Sequence, residues 1–112
     1  MAYDETLADL MREDLEGHEG ISEKKMFGGL CFLFNGHMIC GVHKGGGMYR
    51  VGKPNEVVAR AIDGAKPLGF TGRPMGGMIE VDDDALIAVE KRRQWLSMAW
   101  PIPLAFHRNN RP

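Results

Sequence analysis

The chain has 112 residues, of which 44% are apolar, and this size supports one hydrophobic core but not two. Its 14 basic and 15 acidic side chains nearly cancel, so no bulk attraction to nucleic acid or anionic membranes exists, and direct nucleic-acid binding is not expected. The apolar runs are far shorter than the roughly 18 residues that cross a bilayer, and no signal-peptide pattern is present. We therefore expect a cytoplasmic protein with reduced thiols.

The first predicted element is an amphipathic helix over residues 4–16, with an apolar stripe of Leu7, Leu10, Met11 and Leu15. Strands are predicted over residues 22–26, 30–34, 37–43 and 48–51. Asn35-Gly36 stands between two apolar runs and predicts a tight β-hairpin, because both central residues of a type I′ turn need positive φ.

The second half of the chain begins with a predicted helix that Asn55 caps and Gly64 ends, with an apolar face of Val57, Val58, Ala61 and Ile62. Residues 66–77 are rich in glycine and proline and are predicted to be irregular, with Phe70 a candidate for a short strand. A strand over residues 78–81 and a helix over residues 85–100 follow, and residues 105–112 are predicted to form a polar C-terminal tail.

This order of elements predicts an α+β fold. We expect a two-layer domain with an antiparallel sheet of about five strands, helices on one face, and the order α-β-β-β-α-β-β-α. Because no repeat or linker interrupts the pattern, residues 1–104 are expected to form a single domain.

The hairpin register has a consequence for the two cysteines. With a loop of two residues, Phe34 lies opposite His37 and Cys31 lies opposite Cys40, so the two thiols become cross-strand neighbours. One hypothesis is therefore a redox pair, Cys31 and Cys40. The alternative is that both are small buried hydrophobic side chains, as free cysteines usually are.

The same register makes both hairpin faces apolar. One face carries Cys31, Leu33, Met38, Cys40 and Val42, and the other carries Phe32, Phe34, His37 and Ile39. Since helices cover one side of a two-layer domain, Phe32, Phe34 and Ile39 are candidates for binding a protein partner or a second copy in a homodimer. The alternative is that the end of the chain covers them, with Trp95, Trp100 and Phe106 nearby.

Basic side chains next to glycines or strand ends suggest a second kind of site, an anion-binding patch of Lys25, Arg50, Lys53 and Arg73. An enzymatic version would use Cys40 or His43 for chemistry, whereas the alternative is scattered, solvated charge. The cysteines and histidines lack metal-ligand spacing, so neither a metal site nor another cofactor is expected, and no catalytic set assembles.

Several segments resemble one known family, the TfoX N-terminal domain. They are residues 25–29, Phe32, the Asn35-Gly36 turn, Met38, Gly41-Val42 and residues 48–52, continuing through residues 70–75, Gly77 and Trp95. The resemblance covers nearly the whole chain, and its later segments resemble a short, single-domain branch of the family.

This resemblance implies a small α+β fold similar to the secretion-chaperone-like arrangement, often dimeric. The best-known members regulate natural competence, acting with the cyclic-AMP receptor protein at promoters of DNA-uptake genes. The resemblance supplies no catalytic residues. We therefore expect a non-enzymatic regulatory or adaptor domain that acts by protein-protein contact, with anion binding and thiol redox sensing as the alternatives.

Overall fold

The computed structural model describes residues 3–26, 28–67 and 76–99. Its helices are α1 (Glu5–Asp14), α2 (Glu56–Arg60), α3 (Asp83–Ile87) and α4 (Val89–Met98), and a 3₁₀ turn spans Lys53–Asn55. Its strands are β1 (Ile21–Met26), β2 (Gly29–Phe34), β3 (His37–His43), β4 (Gly46–Arg50), β5 (Ala65–Pro67) and β6 (Met78–Val81).

The strands form one antiparallel sheet in the order β1-β2-β3-β4-β6-β5. This confirms the predicted α+β class with an antiparallel sheet. The described residues contain six strands rather than about five, because Ala65–Pro67, at the start of the segment predicted to be irregular, pairs with β6. Phe70, Arg73, Trp100, Phe106 and the predicted tail of residues 105–112 lie outside the described residues.

The main core lies between one face of the sheet and the helices. Its helical side chains include Leu7 and Met11 of α1, Leu86 of α3 and Trp95 of α4, all buried. Helix α1 begins where predicted, because the Asp4 side chain accepts a hydrogen bond from the Thr6 amide at 2.8 Å and caps the first turn.

The final predicted helix is in fact two helices. The backbone at Ala88 is extended, with ψ of 109°, and separates α3 from α4. The buried Arg92 guanidinium donates to the carbonyl oxygens of Leu86 at 2.8 Å and Ile87 at 3.2 Å. Carbonyl groups at the end of α3 thus find a partner without a continuous helix, which stabilises the break.

Candidate functional site

The predicted hairpin forms at Asn35-Gly36, where φ is 50° and 88°. Phe34 lies opposite His37 as expected, but a β-bulge then places Phe32 opposite Cys40. The predicted register beyond Leu33 is therefore wrong by one residue. The physical reason is core packing, since the bulge directs both Ile39 and Cys40 into the main core beneath the helices.

The bulge separates the two cysteines. Cys31 lies opposite Gly41, and because adjacent residues on a strand point to opposite faces, it faces away from Phe32 and the helices. Both thiols are free and buried. Burial raises the pKa of Cys31 to about 11, and burial also raises the pKa of Cys40 well above its ordinary value. The cross-strand pairing that motivated the redox hypothesis does not form in this register.

The three hairpin residues predicted to bind a partner lie on the helix-covered face. Phe32 and Ile39 are fully buried in the main core, and Phe34 is half-buried and packs against it. Phe32 and Ile39 therefore contact the protein's own helices and are closed to a partner. The expectation was wrong for these two residues because the register alone could not tell which apolar face the helices cover.

The predicted basic patch divides into parts. Lys25 lies on β1 at the sheet edge, three strands away from β4, which carries Arg50. Strand spacing of about 4.8 Å puts these two residues roughly 14 Å apart across the sheet alone. Lys25 is opposite Leu30, a residue of the main core, whereas Arg50 follows the core residue Tyr49 and thus lies on the other face. Lys25 does not belong to the patch.

Arg50 and Lys53, by contrast, line one cleft of about 350 Å³ together with Gly52, Gly76 and Gly77. Glycine is required at this approach: Gly52 and Gly77 have φ of 82° and 83°, and a Cβ on Gly77 would lie 3.3 Å from the Gly52 Cα. The Gly77 carbonyl accepts from both Val51 and Gly52 amides, which joins the two segments. The backbone conformation and its hydrogen bonds therefore determine the shape of the cleft.

The structure exposes an apolar surface that the sequence pattern missed. Val57 and Val58 of α2 are 76% and 59% exposed, whereas the predicted core-facing stripe required them to be buried. The core contact of α2 is Ala59, whose carbonyl oxygen accepts from the Trp95 indole at 3.1 Å. Both Ala59 and Trp95 are fully buried. The apolar spacing along the chain did not indicate that α2 turns Ala59 toward the core and leaves Val57 and Val58 exposed.

The exposed face of α2 continues into a shallow groove against β5. The groove has a volume of about 380 Å³ and is lined by Val57, Arg60, Ala61, Ala65, Lys66 and Pro67. Arg60 lies 3.5 Å from Glu56, and Lys66 lies 3.6 Å from Asp82, yet both basic side chains remain about half exposed. The surface therefore combines apolar contact area with accessible positive charge.

Within residues 3–26, 28–67 and 76–99, no three histidine, cysteine, aspartate or glutamate side chains come together as a possible metal site. None of the helices there is long and apolar enough to cross a membrane.

Comparison with known families identifies one match. The family model described as TfoX N-terminal domain matches residues 13–101, which confirms the resemblance seen in the glycine-flanked hairpin and the segments after it. Neither the curated proteins nor the solved structures contain a match to the chain.

Proposed function

This chain belongs to the TfoX N-terminal domain family, and from that premise we propose that it is a non-enzymatic regulatory or adaptor domain of the cytoplasm that acts by binding another protein. The binding surface in this proposal is the exposed face of α2 with the adjoining groove. It replaces the hairpin residues as the place of contact.

The observation that carries the proposal is the exposure of two adjacent valines, Val57 and Val58, on a helix anchored to the core. Burying a valine side chain against a partner contributes about 1.5 kcal/mol or more. The hydrogen bond from Trp95 to Ala59 already fixes the helix, so little ordering cost remains on binding. An apolar, pre-organised surface of this kind suits a protein contact.

The charges around the valines define the partner's chemistry. Arg60 and Lys66 line the groove and are 44% and 55% exposed, so a segment with an apolar side chain flanked by carboxylates complements it. Strand addition at the β5 edge is disfavoured because Pro67 has no amide hydrogen and the Ala65 amide already donates to Ile62. The partner therefore docks through side chains.

Site-specific photo-crosslinking in the native host tests this contact. A photoreactive residue at position 57 is expected to give one defined adduct, identified by mass spectrometry, in which the crosslinked peptide is acidic and apolar. The same probe at the exposed Ser22 of the distant edge strand β1 is the control and should give none. Charge reversal, Arg60→Glu with Lys66→Glu, should abolish the adduct.

An adduct joining two copies of this chain would assign the surface to a homodimer, and light scattering of the pure protein would then show twice the monomer mass. Equal labelling from positions 57 and 22, or an adduct insensitive to the charge reversal, would contradict the proposed contact.

A second candidate function is binding of a small anion in the cleft of Arg50 and Lys53, favoured by the convergence of both cations on one glycine-walled space. The Gly77 amide already donates a hydrogen bond to the Glu56 carboxylate at 3.0 Å. Recognition of the anion therefore depends on the two cationic side chains. An anion held by both would be stabilised by charge-assisted hydrogen bonds.

Titration with inorganic phosphate and pyrophosphate, followed by NMR, tests the cleft. Lys53→Gln should weaken binding about tenfold, the loss expected for one charge-assisted hydrogen bond. Lys44→Gln, at the opposite end of β4, is the matched control and should bind as the parent does. Chemical shifts that change equally in both variants would eliminate the cleft as the site.

A further inference from the structure

One carboxylate, that of Glu56, stands between the cationic cleft and the exposed face of α2. Glu56 is the first residue of α2, and its Oε1 accepts a hydrogen bond at 3.0 Å from the amide of Gly77, which lines the cleft. Its Oε2 lies 3.5 Å from Nη1 of Arg60, which lines the groove beside the valines. The two candidate surfaces therefore share one charged group.

The backbone around Glu56 is held on both sides. The Asn55 side-chain amide donates to the Val51 carbonyl oxygen at 3.1 Å, just before α2 begins. Near the other end of the helix, the Ala59 carbonyl oxygen accepts from the Trp95 indole. Because the helix is fixed in this way, we expect the Glu56 side chain, rather than the backbone of α2, to respond to a change of charge in the cleft.

The distances allow the Glu56 carboxylate two arrangements. In the structure it holds the Gly77 amide, while its distance from Arg60 exceeds the roughly 2.7–2.9 Å of a closed charge-assisted hydrogen bond. An anion between Arg50 and Lys53 adds a second negative charge at the cleft wall, and like charges disfavour each other, the more so because Glu56 is only 19% exposed. A turn toward Arg60 relieves this repulsion, since residues four apart are neighbours on a helix.

We propose that a phosphoryl anion held in the cleft by Arg50 and Lys53 regulates the α2 contact. The bound anion displaces the Glu56 carboxylate from the Gly77 amide onto Arg60, which weakens the binding of an acidic partner. This inference rests on the proposed function, because it joins the anion cleft to the partner surface. Arg60 is 44% exposed and attracts the partner's carboxylates only while Glu56 leaves it accessible.

The coupling is reciprocal, so an acidic partner at α2 weakens anion binding by the same factor as the anion weakens partner binding. We expect a factor of about fivefold, the lower end of the usual range for coupled sites, because the Glu56–Arg60 pair is partly exposed.

NMR of the full chain during titration with pyrophosphate tests the displacement. In the parent, the Gly77 amide and the Arg60 Nε–H resonances should shift together, with one apparent affinity. Glu56→Gln keeps an acceptor for the Gly77 amide and removes the negative charge. This variant should bind pyrophosphate about fivefold more tightly, and its Arg60 resonance should no longer respond. Glu16→Gln removes an exposed carboxylate beside the edge strand β1 and is the matched control, which should behave as the parent does.

The photoreactive residue at position 57 measures the effect on the partner in an extract of the native host. Pyrophosphate at a concentration that saturates the cleft should lower the adduct yield about fivefold. In Lys53→Gln, whose cleft binds the anion less tightly, the yield should be about tenfold less sensitive to pyrophosphate.

The outcomes separate the coupling from the sites that it joins. A shift at Gly77 without one at Arg60, or an adduct yield that stays constant while the anion binds, would overturn the coupling and leave both sites standing. No shift at Gly77 would overturn the anion site together with the coupling. No adduct at all would overturn the α2 contact together with it.

Discussion

At the residue scale, the buried ion pair between Arg92 and Asp14 fixes the helical layer. The Arg92 side chain is 5% exposed and donates through Nε to the Asp14 carboxylate at 2.8 Å, while its Nη1 donates to carbonyl oxygens at the end of α3. One guanidinium thus joins α1, α3 and α4. Removal of either partner leaves the other charge buried without compensation.

Asp14→Ala is therefore expected to lower the free energy of unfolding by about 3–5 kcal/mol, a large fraction of the total for a domain of this size. Asp9→Ala removes one of the two exposed ion pairs of Arg12, whose pair with Glu23 remains, and should cost less than about 1 kcal/mol. Urea denaturation of both variants at pH 7 makes the comparison. Similar, small losses in both would show that Arg92 does not depend on Asp14.

The sequence carried a signal for this residue. A basic run of Lys91, Arg92 and Arg93 is typical of a solvated helix face, yet Arg92, Trp95 and Ala99 recur at helical spacing and all three are buried. The helical period places Arg92 on the apolar side of α4, whereas an arginine is ordinarily expected on the exposed side. The carboxylate that compensates it lies 78 positions earlier in the chain, where no local pattern connects the two.

At the scale of elements, short sequence segments predicted the turns and strands that depend only on neighbouring residues. The hairpin turn, the span of β3 and the strand at Met78–Val81 follow from Asn35-Gly36 and from apolar runs bounded by turn residues. The bulge at Ile39 and the rotation of α2 could not be predicted this way. Both follow from packing against distant side chains, the helices in one case and Trp95 in the other.

The candidate sites show the same division. Arg50 and Lys53 are close in sequence and line the same cleft. Lys25 lies far from them because β2 and β3 stand between β1 and β4, and its pairing with Leu30 places it on the opposite face. The cysteines were predicted to be adjacent through the hairpin, and one extra residue in β3 moved them to opposite faces. Because successive side chains of a strand point to opposite faces of the sheet, a shift of one residue in the register reverses the face assigned to each side chain.

At the scale of the whole molecule, the sheet separates two environments. Its helical side holds the main core and carries α2, whose valines we propose as the protein contact, while its other side holds a smaller buried cluster of Cys31, Met48 and Met78. Composition and element order predicted the two layers. Which face of the hairpin the helices cover was decided by the fit of Phe32, Ile39 and Cys40 beneath them.

Transcript profiling in the native host tests most directly whether this domain regulates through a protein contact at α2, as we propose. A strain lacking the gene would be complemented with the parent chain, with Val57→Asp, or with Ser22→Asp, which adds the same charge at the distant strand β1. We predict that deletion changes a defined set of transcripts, that the parent and Ser22→Asp restore them, and that Val57→Asp, present at equal abundance, does not. Full restoration by Val57→Asp, or no change on deletion, would contradict the account.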